Sequence, residues 1–256
     1  MRTGNTNGLQ TEKVGKMNAI NYGTRARLGM IMPSGNQAAE PQFHAMLPAG
    51  VSLHTTRLKL TGSSEKDLLA MTERVEDAAE LVADSQANLV LFHCTAVSTF
   101  STELEASILE RVRKASGLRA TATSEAITAA LRAVGAKRIV MLSPYEDAIN
   151  RREEAYFRAA GFDIIGNAGL SKPDANAMMA VTPDEWIAMA LANRNDAADA
   201  YLLSCTTVRS TDVADEIERK LGRPVVTSNT AAVWHCLRLL GIKDSIPGFG
   251  KLLREL

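Results

Sequence analysis

Ala87-Asn-Leu-Val-Leu-Phe-His-Cys94-Thr-Ala-Val97 and Ala198-Asp-Ala-Tyr-Leu-Leu-Ser-Cys205-Thr-Thr-Val208 are two versions of one pattern. Each is a short apolar run, long enough for a buried strand, that ends in Cys-Thr before a helical pattern begins. Upstream the likeness continues. Leu28-Gly-Met-Ile-Met-Pro33-Ser-Gly-Asn36 resembles Ile139-Val-Met-Leu-Ser-Pro144-Tyr-Glu-Asp147. Pro33 and Cys94 are 61 positions apart, and so are Pro144 and Cys205. Downstream of each cysteine come a helix, a Gly-led strand (from Gly117 and Gly222) and a second helix, ending Leu-Arg-Ala-Val-Gly135 or Leu-Arg-Leu-Leu-Gly241. The chain therefore holds two copies of one α/β unit, offset by 111 residues, a period too long for a solenoid.

Strand-type runs are expected at 28–32, 51–57, 88–93, 119–123, 138–142, 162–165, 200–204 and 224–227. Amphipathic helices are expected at 65–85, 102–115, 124–134, 150–160, 183–192 and 210–221. This alternation predicts an α/β fold of mainly parallel sheets covered on both faces. The expected architecture is two pseudo-symmetric, Rossmann-like halves, 27–135 and 136–256, facing each other across an active site. Residues 1–26, polar and rich in Gly, Asn and Thr, read as a mobile tail, with a possible oligomer contact at its end.

Composition narrows the function. The 29 Lys and Arg balance 29 Asp and Glu, which argues against a nucleic-acid or acidic-membrane partner. No apolar run approaches the roughly 18 residues of a membrane span, and the N-terminus lacks the apolar core of a signal peptide. Three cysteines are too few and odd in number for a disulfide framework. The expected compartment is the cytoplasm.

Chemistry gathers at the two repeated cysteines. Ligands of open parallel sheets bind beyond the carboxyl ends of strands, where helix N-termini offer free N–H groups to anions. Cys94 and Cys205 stand at such ends and would approach one crevice from opposite sides. The adjacent helix dipoles are expected to lower their thiol pKa values. Cys236 lies inside a helical run and reads as core. Ser34 and Asn36 in the first turn offer donors to a carboxylate. Tyr145 brings a hydroxyl to the equivalent rim, and Asn176, in a polar loop, could reach the crevice mouth. The histidines form no set, and His93 points away from Cys94 along the strand. With no zinc spacing, Walker loop or dinucleotide fingerprint, chemistry without metal or cofactor is expected.

Pro33-Ser-Gly-Asn36 with Glu40, His93-Cys94-Thr, Ser143-Pro-Tyr145 and Leu203-Ser-Cys205-Thr together resemble the aspartate/glutamate racemase superfamily. Within it they resemble the branch of maleate cis–trans isomerases and arylmalonate decarboxylases. The resemblance spans 27–256. It implies Cys94 as a nucleophile that adds to an olefinic carbon and Cys205 as the acid and base at the neighbouring carbon. Asn36, Tyr145 and Asn176 would hold substrate carboxylates, backbone N–H groups near Thr95 and Thr206 would complete the anion sites, and a homodimer or homotetramer is implied. The decarboxylase branch carries glycine where Cys94 stands, which favours isomerisation of a small dicarboxylate. The isomerases usually carry Ser at the place of Gly35, and Arg209 is unexpected beside the second cysteine. A racemase of amino acids or hydantoins, an arylmalonate decarboxylase-like enzyme and a two-lobed small-anion binding protein are the alternatives.

Overall fold

The computed structural model describes residues 20–62 and 64–256. The first half runs β1 (Ala26–Pro33), α1 (Ala39–Met46), β2 (Val51–Leu58), α2 (Glu65–Ala70), α3 (Val75–Ala83) and β3 (Leu89–Phe92). It continues with α4 (Thr95–Ser98), α5 (Thr102–Ser116), β4 (Ala120–Ala122) and α6 (Thr123–Ala133). The second half runs β5 (Arg138–Ser143), α7 (Asp147–Ala159), β6 (Asp163–Gly169), α8 (Ala175–Ala180), α9 (Pro183–Ala192) and β7 (Ala200–Leu203). It closes with α10 (Ala214–Leu221), β8 (Val225–Thr227), α11 (Ser228–Leu239) and α12 (Lys251–Glu255).

The strands form two four-stranded parallel sheets, ordered β2-β1-β3-β4 and β6-β5-β7-β8. This is the expected α/β architecture, and the two orders are the same topology written twice. In each sheet the chain leaves the first strand to one side and returns on the other. That reversal opens a crevice beyond the carboxyl ends of β1 and β3, and of β5 and β7. Pro33 closes β1, and Cys94, Pro144 and Cys205 stand just past the ends of β3, β5 and β7.

Both faces of each sheet are covered, because the strands are apolar in both side-chain directions. Leu28, Met30 and Met32 point into one core, shared with Ile139, Met141, Leu202 and Cys236. Ile31, Val90 and Phe92 point into the other, shared with Val140, Leu142, Tyr201 and Leu203. Each core takes residues from both halves, so the halves are packed into one body. Cys236 is fully buried among α11 neighbours, in keeping with its core reading.

Several elements depart from expectation. The helix expected at 65–85 is divided by a 3-10 turn, Met71–Arg74. There the Arg111 guanidinium draws off the Thr72 carbonyl at 2.9 Å, and the Thr72 hydroxyl bonds back to the Leu69 carbonyl at 2.8 Å. The helix expected at 210–221 likewise starts as a 3-10 turn, Ser210–Val213, before α10. Strand β6 extends four residues past the expected 162–165, because a register shift opposite Ile139 and Val140 lets it continue pairing with β5. The polar stretch expected as a loop around Asn176 becomes α8, since the Asp174 carboxylate accepts the Ala177 N–H at 2.9 Å and caps it. Most of the expected tail, residues 1–19, lies outside the described residues. Its last two residues are structural: Ala26 opens β1, and Arg25 pairs with Asp244 at 2.6 Å. Among the described residues no helix is long and apolar enough to cross a membrane.

Candidate active site

The turn after β3 is built by its own backbone. Cys94 leaves the strand extended, at φ −151° and ψ 108°, and occupies the N-cap position of the single helical turn α4 without a side-chain cap bond. The N–H groups of Ala96 and Val97 then face the Cys94 sulfur. The turn after β7 is made differently. Cys205 takes φ +108°, a conformation that costs a side-chain-bearing residue about 1–3 kcal/mol. That twist lets the Thr207 N–H reach the Cys205 sulfur at 3.3 Å, while the Cys205 N–H donates to Ser228 Oγ at 3.0 Å. The Tyr145 hydroxyl stands near the Cys205 thiol and favours its ionised form.

Both thiols line one cavity of about 230 Å³. Asn36, Thr95, Tyr145, Asn176 and Thr206 line it with them, so the structure gathers residues from opposite ends of the chain. Asn36 accepts the Ala38 and Ala39 N–H groups at 3.0 and 2.9 Å and donates to Thr206 Oγ1 at 3.0 Å, joining the halves. Asn176 is held at the rim by Gln37, which donates to its Oδ1 at 2.8 Å. Ser34 is not brought in: its hydroxyl accepts the Leu60 N–H at 3.2 Å, and its neighbours Pro33 and Gly35 face the cavity instead. Arg209 pairs with Asp212 at 3.5 Å and does not line the cavity either.

The expectation of acidified thiols is overturned. Burial pushes Cys94 up to about 12 and Cys205 up to about 11. The Val97 and Ala96 N–H groups oppose this at Cys94, as the Tyr145 hydroxyl and the Thr207 N–H do at Cys205, and burial outweighs them. Removing a thiolate from water costs more than two or three neutral donors return. Tyr145, also buried, is held well above the usual phenol range.

Besides Gln37, two contributors escape sequence reasoning. Ser228 accepts hydrogen bonds from both the Cys205 N–H and Thr95 Oγ1, each at 3.0 Å, and so ties one thiol turn to the other. Its only signal was its place just past the last strand of the repeat. Glu153, fully buried in α7, accepts from Ser204 Oγ at 2.5 Å beside Cys205; it read as one more polar residue of an amphipathic helix. A larger depression of about 840 Å³, between Arg113, Arg132 and His235, is open and has no thiol in its wall.

Comparison with known proteins agrees with this geometry. The chain is 29% identical over 243 residues to the maleate isomerase of Nocardia farcinica, covering 90% of this chain and 96% of that one. It is 29% identical over 232 residues to the arylmalonate decarboxylase of Bordetella bronchiseptica, covering 89% and 96%. Among solved structures it is similar to a C-to-S mutant of the Nocardia farcinica maleate cis–trans isomerase with a covalently bound succinylcysteine intermediate. That likeness has a TM-score of 0.84 at 26% identity, over 90% of this chain and 99% of the other. The family model described as arylmalonate decarboxylase matches residues 28–253. With nearly its whole length matched, the chain belongs to the arylmalonate decarboxylase family.

Proposed function

We propose that the protein is a cofactor-independent isomerase that interconverts maleate, or a close cis-dicarboxylate, with its trans isomer through two cysteines. The observation that carries this reading is the pair of buried thiols facing one cavity from pseudo-equivalent turns, Cys94 beside the Ala96 and Val97 N–H groups and Cys205 beside the Thr207 N–H. A decarboxylation that ends in protonation uses one thiol; a reversible addition–elimination uses both.

In this mechanism the Cys94 thiolate adds to one olefinic carbon. The π electrons move to the neighbouring carbon, where the adjacent carboxylate spreads the charge, and the Cys205 thiol protonates that carbon. The adduct has a single bond where maleate has a double bond, so it rotates. The Cys205 thiolate then takes the proton back, the electron pair re-forms the double bond, and Cys94 leaves as thiolate. Among the described residues no Lys or Arg lines the cavity, and the carboxylates are held by neutral donors: the Asn36 and Asn176 amides, the Tyr145 hydroxyl and N–H groups near Thr95 and Thr206. Such preorganised dipoles stabilise the carboxylate-centred charge as it develops. The free state of all three cysteines fits a reducing cytoplasm, and the family resemblance favours a homodimer or homotetramer.

A second reading has its own observation. Leu60, Leu68, Ile149 and Met178 form an apolar flank of the cavity, which suits a malonate or maleate carrying an apolar substituent. Proton NMR of maleate with reduced protein in deuterated buffer separates the readings, with Cys94→Ser as control. Formation of fumarate that is lost in the control supports the isomerase. Inert maleate with carbon dioxide released from an arylmalonate supports the decarboxylase. Exchange of an α-proton on amino acids or hydantoins would point to a racemase.

A further inference from the structure

Among the described residues, Glu153 is the one carboxyl hydrogen-bonded to the end of β7, where Cys205 stands. It is 0% exposed, Oε1 accepts from Ser204 Oγ at 2.5 Å, and Oε2 is buried without a hydrogen-bond partner. Ser204 is fixed in turn, its N–H donating to the Leu142 carbonyl at 2.7 Å, and the next residue is Cys205. Another buried carboxyl, Glu105, is fully satisfied, by the Ser124 hydroxyl on one oxygen and by Tyr156 at 2.7 Å on the other. Glu105 is accounted for as structure. Glu153 is left with an oxygen that packing does not use.

We propose that Glu153 is a positioning residue for Cys205, its buried carboxyl acting beside Ser204 to govern whether the Cys205 thiol can ionise. With Glu153 neutral, Cys205 can become the thiolate that the adduct requires; with Glu153 ionised, a second negative charge in the same buried site is opposed. The inference rests on Cys205 being the acid–base group of the proposed reaction.

Buried like charges titrate as a pair, each resisting the other's ionisation. The unpartnered Oε2 favours the protonated carboxyl, and burial accordingly holds Glu153 up at about 7, with the Ser204 hydrogen bond pulling the other way. The titratable groups that face it are Tyr145, at the entry to α7, and Cys205, at the end of β7; an ionised Glu153 raises both. Its neighbours on α7 are turned elsewhere. Arg152 lies 4.4 Å from the Phe100 ring and 3.7 Å from Glu65, and Glu154 binds Arg158 and Asn167. The arrangement is confined to the second half, since the residue that matches Ser204 in the repeat is His93, hydrogen-bonded to an amide and a hydroxyl.

The test reads titration of the thiol and not turnover, so a failure here is distinct from a failure of the isomerase reading. Cys94→Ala and Cys236→Ala leave Cys205 as the sole cysteine of the full chain. Its alkylation by iodoacetamide is followed from about pH 5 to about pH 10, with and without Glu153→Gln. The expected result is a biphasic profile with Glu153 present. With Glu153→Gln it becomes a single ionisation, at least about tenfold faster near pH 8, the factor that one pKa unit carries. Superimposable profiles overturn the proposal. If Glu153→Gln does not fold, infrared spectroscopy of the parent decides. The carbonyl band of a protonated buried carboxyl should fade over the same pH range in which the alkylation profile bends, and a profile with no such bend overturns the proposal.

Discussion

The turns after β3 and β7 come from one repeated pattern, yet they present their thiols by different means. Cys94 sits in relaxed extended backbone and starts a helical turn whose N–H groups face its sulfur. Cys205 sits at φ +108°, receives one N–H from Thr207 and takes a hydroxyl from Tyr145. Behind Cys94 stands His93, a buried imidazole that burial holds down at about 4 and therefore neutral. Behind Cys205 stands Ser204 with the Glu153 carboxyl. The repeat places two thiols on one cavity, and the unrepeated residues around them give each a different electrostatic setting. In the proposed reaction one thiol must add and leave again and the other must give up and recover a proton, two tasks that such a difference suits.

The largest effect should come from removing either thiol, and the two losses should differ in kind. Cys94→Ser and Cys205→Ser are each expected to lower maleate turnover by on the order of a thousandfold or more. Intact-mass spectrometry after incubation with maleate then separates them. Cys205→Ser should carry one substrate mass on Cys94, because the replacing hydroxyl or water can still supply the proton that completes the adduct while the thiolate base that removes it is gone, and Cys94→Ser should carry none. An adduct on Cys205 in the Cys94→Ser protein would reverse the assignment of roles.

Next in size is the pH dependence of stability, where the two halves should pull in opposite directions. His93 ionises near 6.5 when unfolded and near 4 in the fold, so between these values the unfolded chain binds more protons and stability rises with pH. Glu153 ionises near 4.5 when unfolded and near 7 in the fold, so across that window the folded chain binds more protons and stability falls with pH. Each full shift corresponds to about 3 kcal/mol as an order of magnitude. Relative to the parent, Glu153→Gln should therefore gain stability as pH rises from 4.5 to 7, and His93→Gln should lose it as pH rises from 4 to 6.5. Urea titrations at several pH values give the two slopes. Slopes of the same sign would dissolve the electrostatic contrast between the halves.

These contrasts also mark how far the sequence could be read. The two sheets and their placement of Cys94 and Cys205 were legible because apolar runs, Gly-led strands and a gapless interval of 61 residues are local patterns that recur. Asn36, Thr95, Tyr145 and Thr206 could be named because they adjoin those strand ends. Ser34 shows the limit of that logic: proximity in sequence put it at the site, and a backbone N–H of Leu60 takes its hydroxyl away. Ser228, Gln37 and Glu153 were not legible, since each matters through a partner in a distant part of the chain. The thiol pKa values were misjudged for a related reason. Helix dipoles follow from sequence order, whereas the burial that outweighs them depends on packing of the whole molecule.

Ser228 offers a smaller test, aimed at what the two turns share. Its hydroxyl accepts from the Cys205 N–H and from Thr95. Ser228→Ala leaves the buried Cys205 N–H without an acceptor and should cost about 1–3 kcal/mol. Thr95→Val removes a donor together with its need for a partner and should cost less. If thermal or urea unfolding ranks the two in the reverse order, the bond to Cys205 is not what steadies the second turn.

The smallest effect separates the two backbones. At position 205, glycine should be more stable than alanine by about 1 kcal/mol, because φ +108° strains any residue with a Cβ. At position 94, where φ is −151°, glycine should be less stable than alanine by about 0.5–1 kcal/mol, since only its larger unfolded-state entropy remains. Comparing Cys205→Gly with Cys205→Ala, and Cys94→Gly with Cys94→Ala, cancels the loss of each thiol and leaves the backbone difference in the urea midpoints. Opposite signs would mean that the fold spends stability at one thiol only, the one whose sulfur needs the Thr207 N–H and the Tyr145 hydroxyl on the same side. Equal signs would mean that the two turns differ in their neighbours alone, and the chemical distinction between the cysteines would then fall entirely on His93, Ser204, Tyr145 and Glu153.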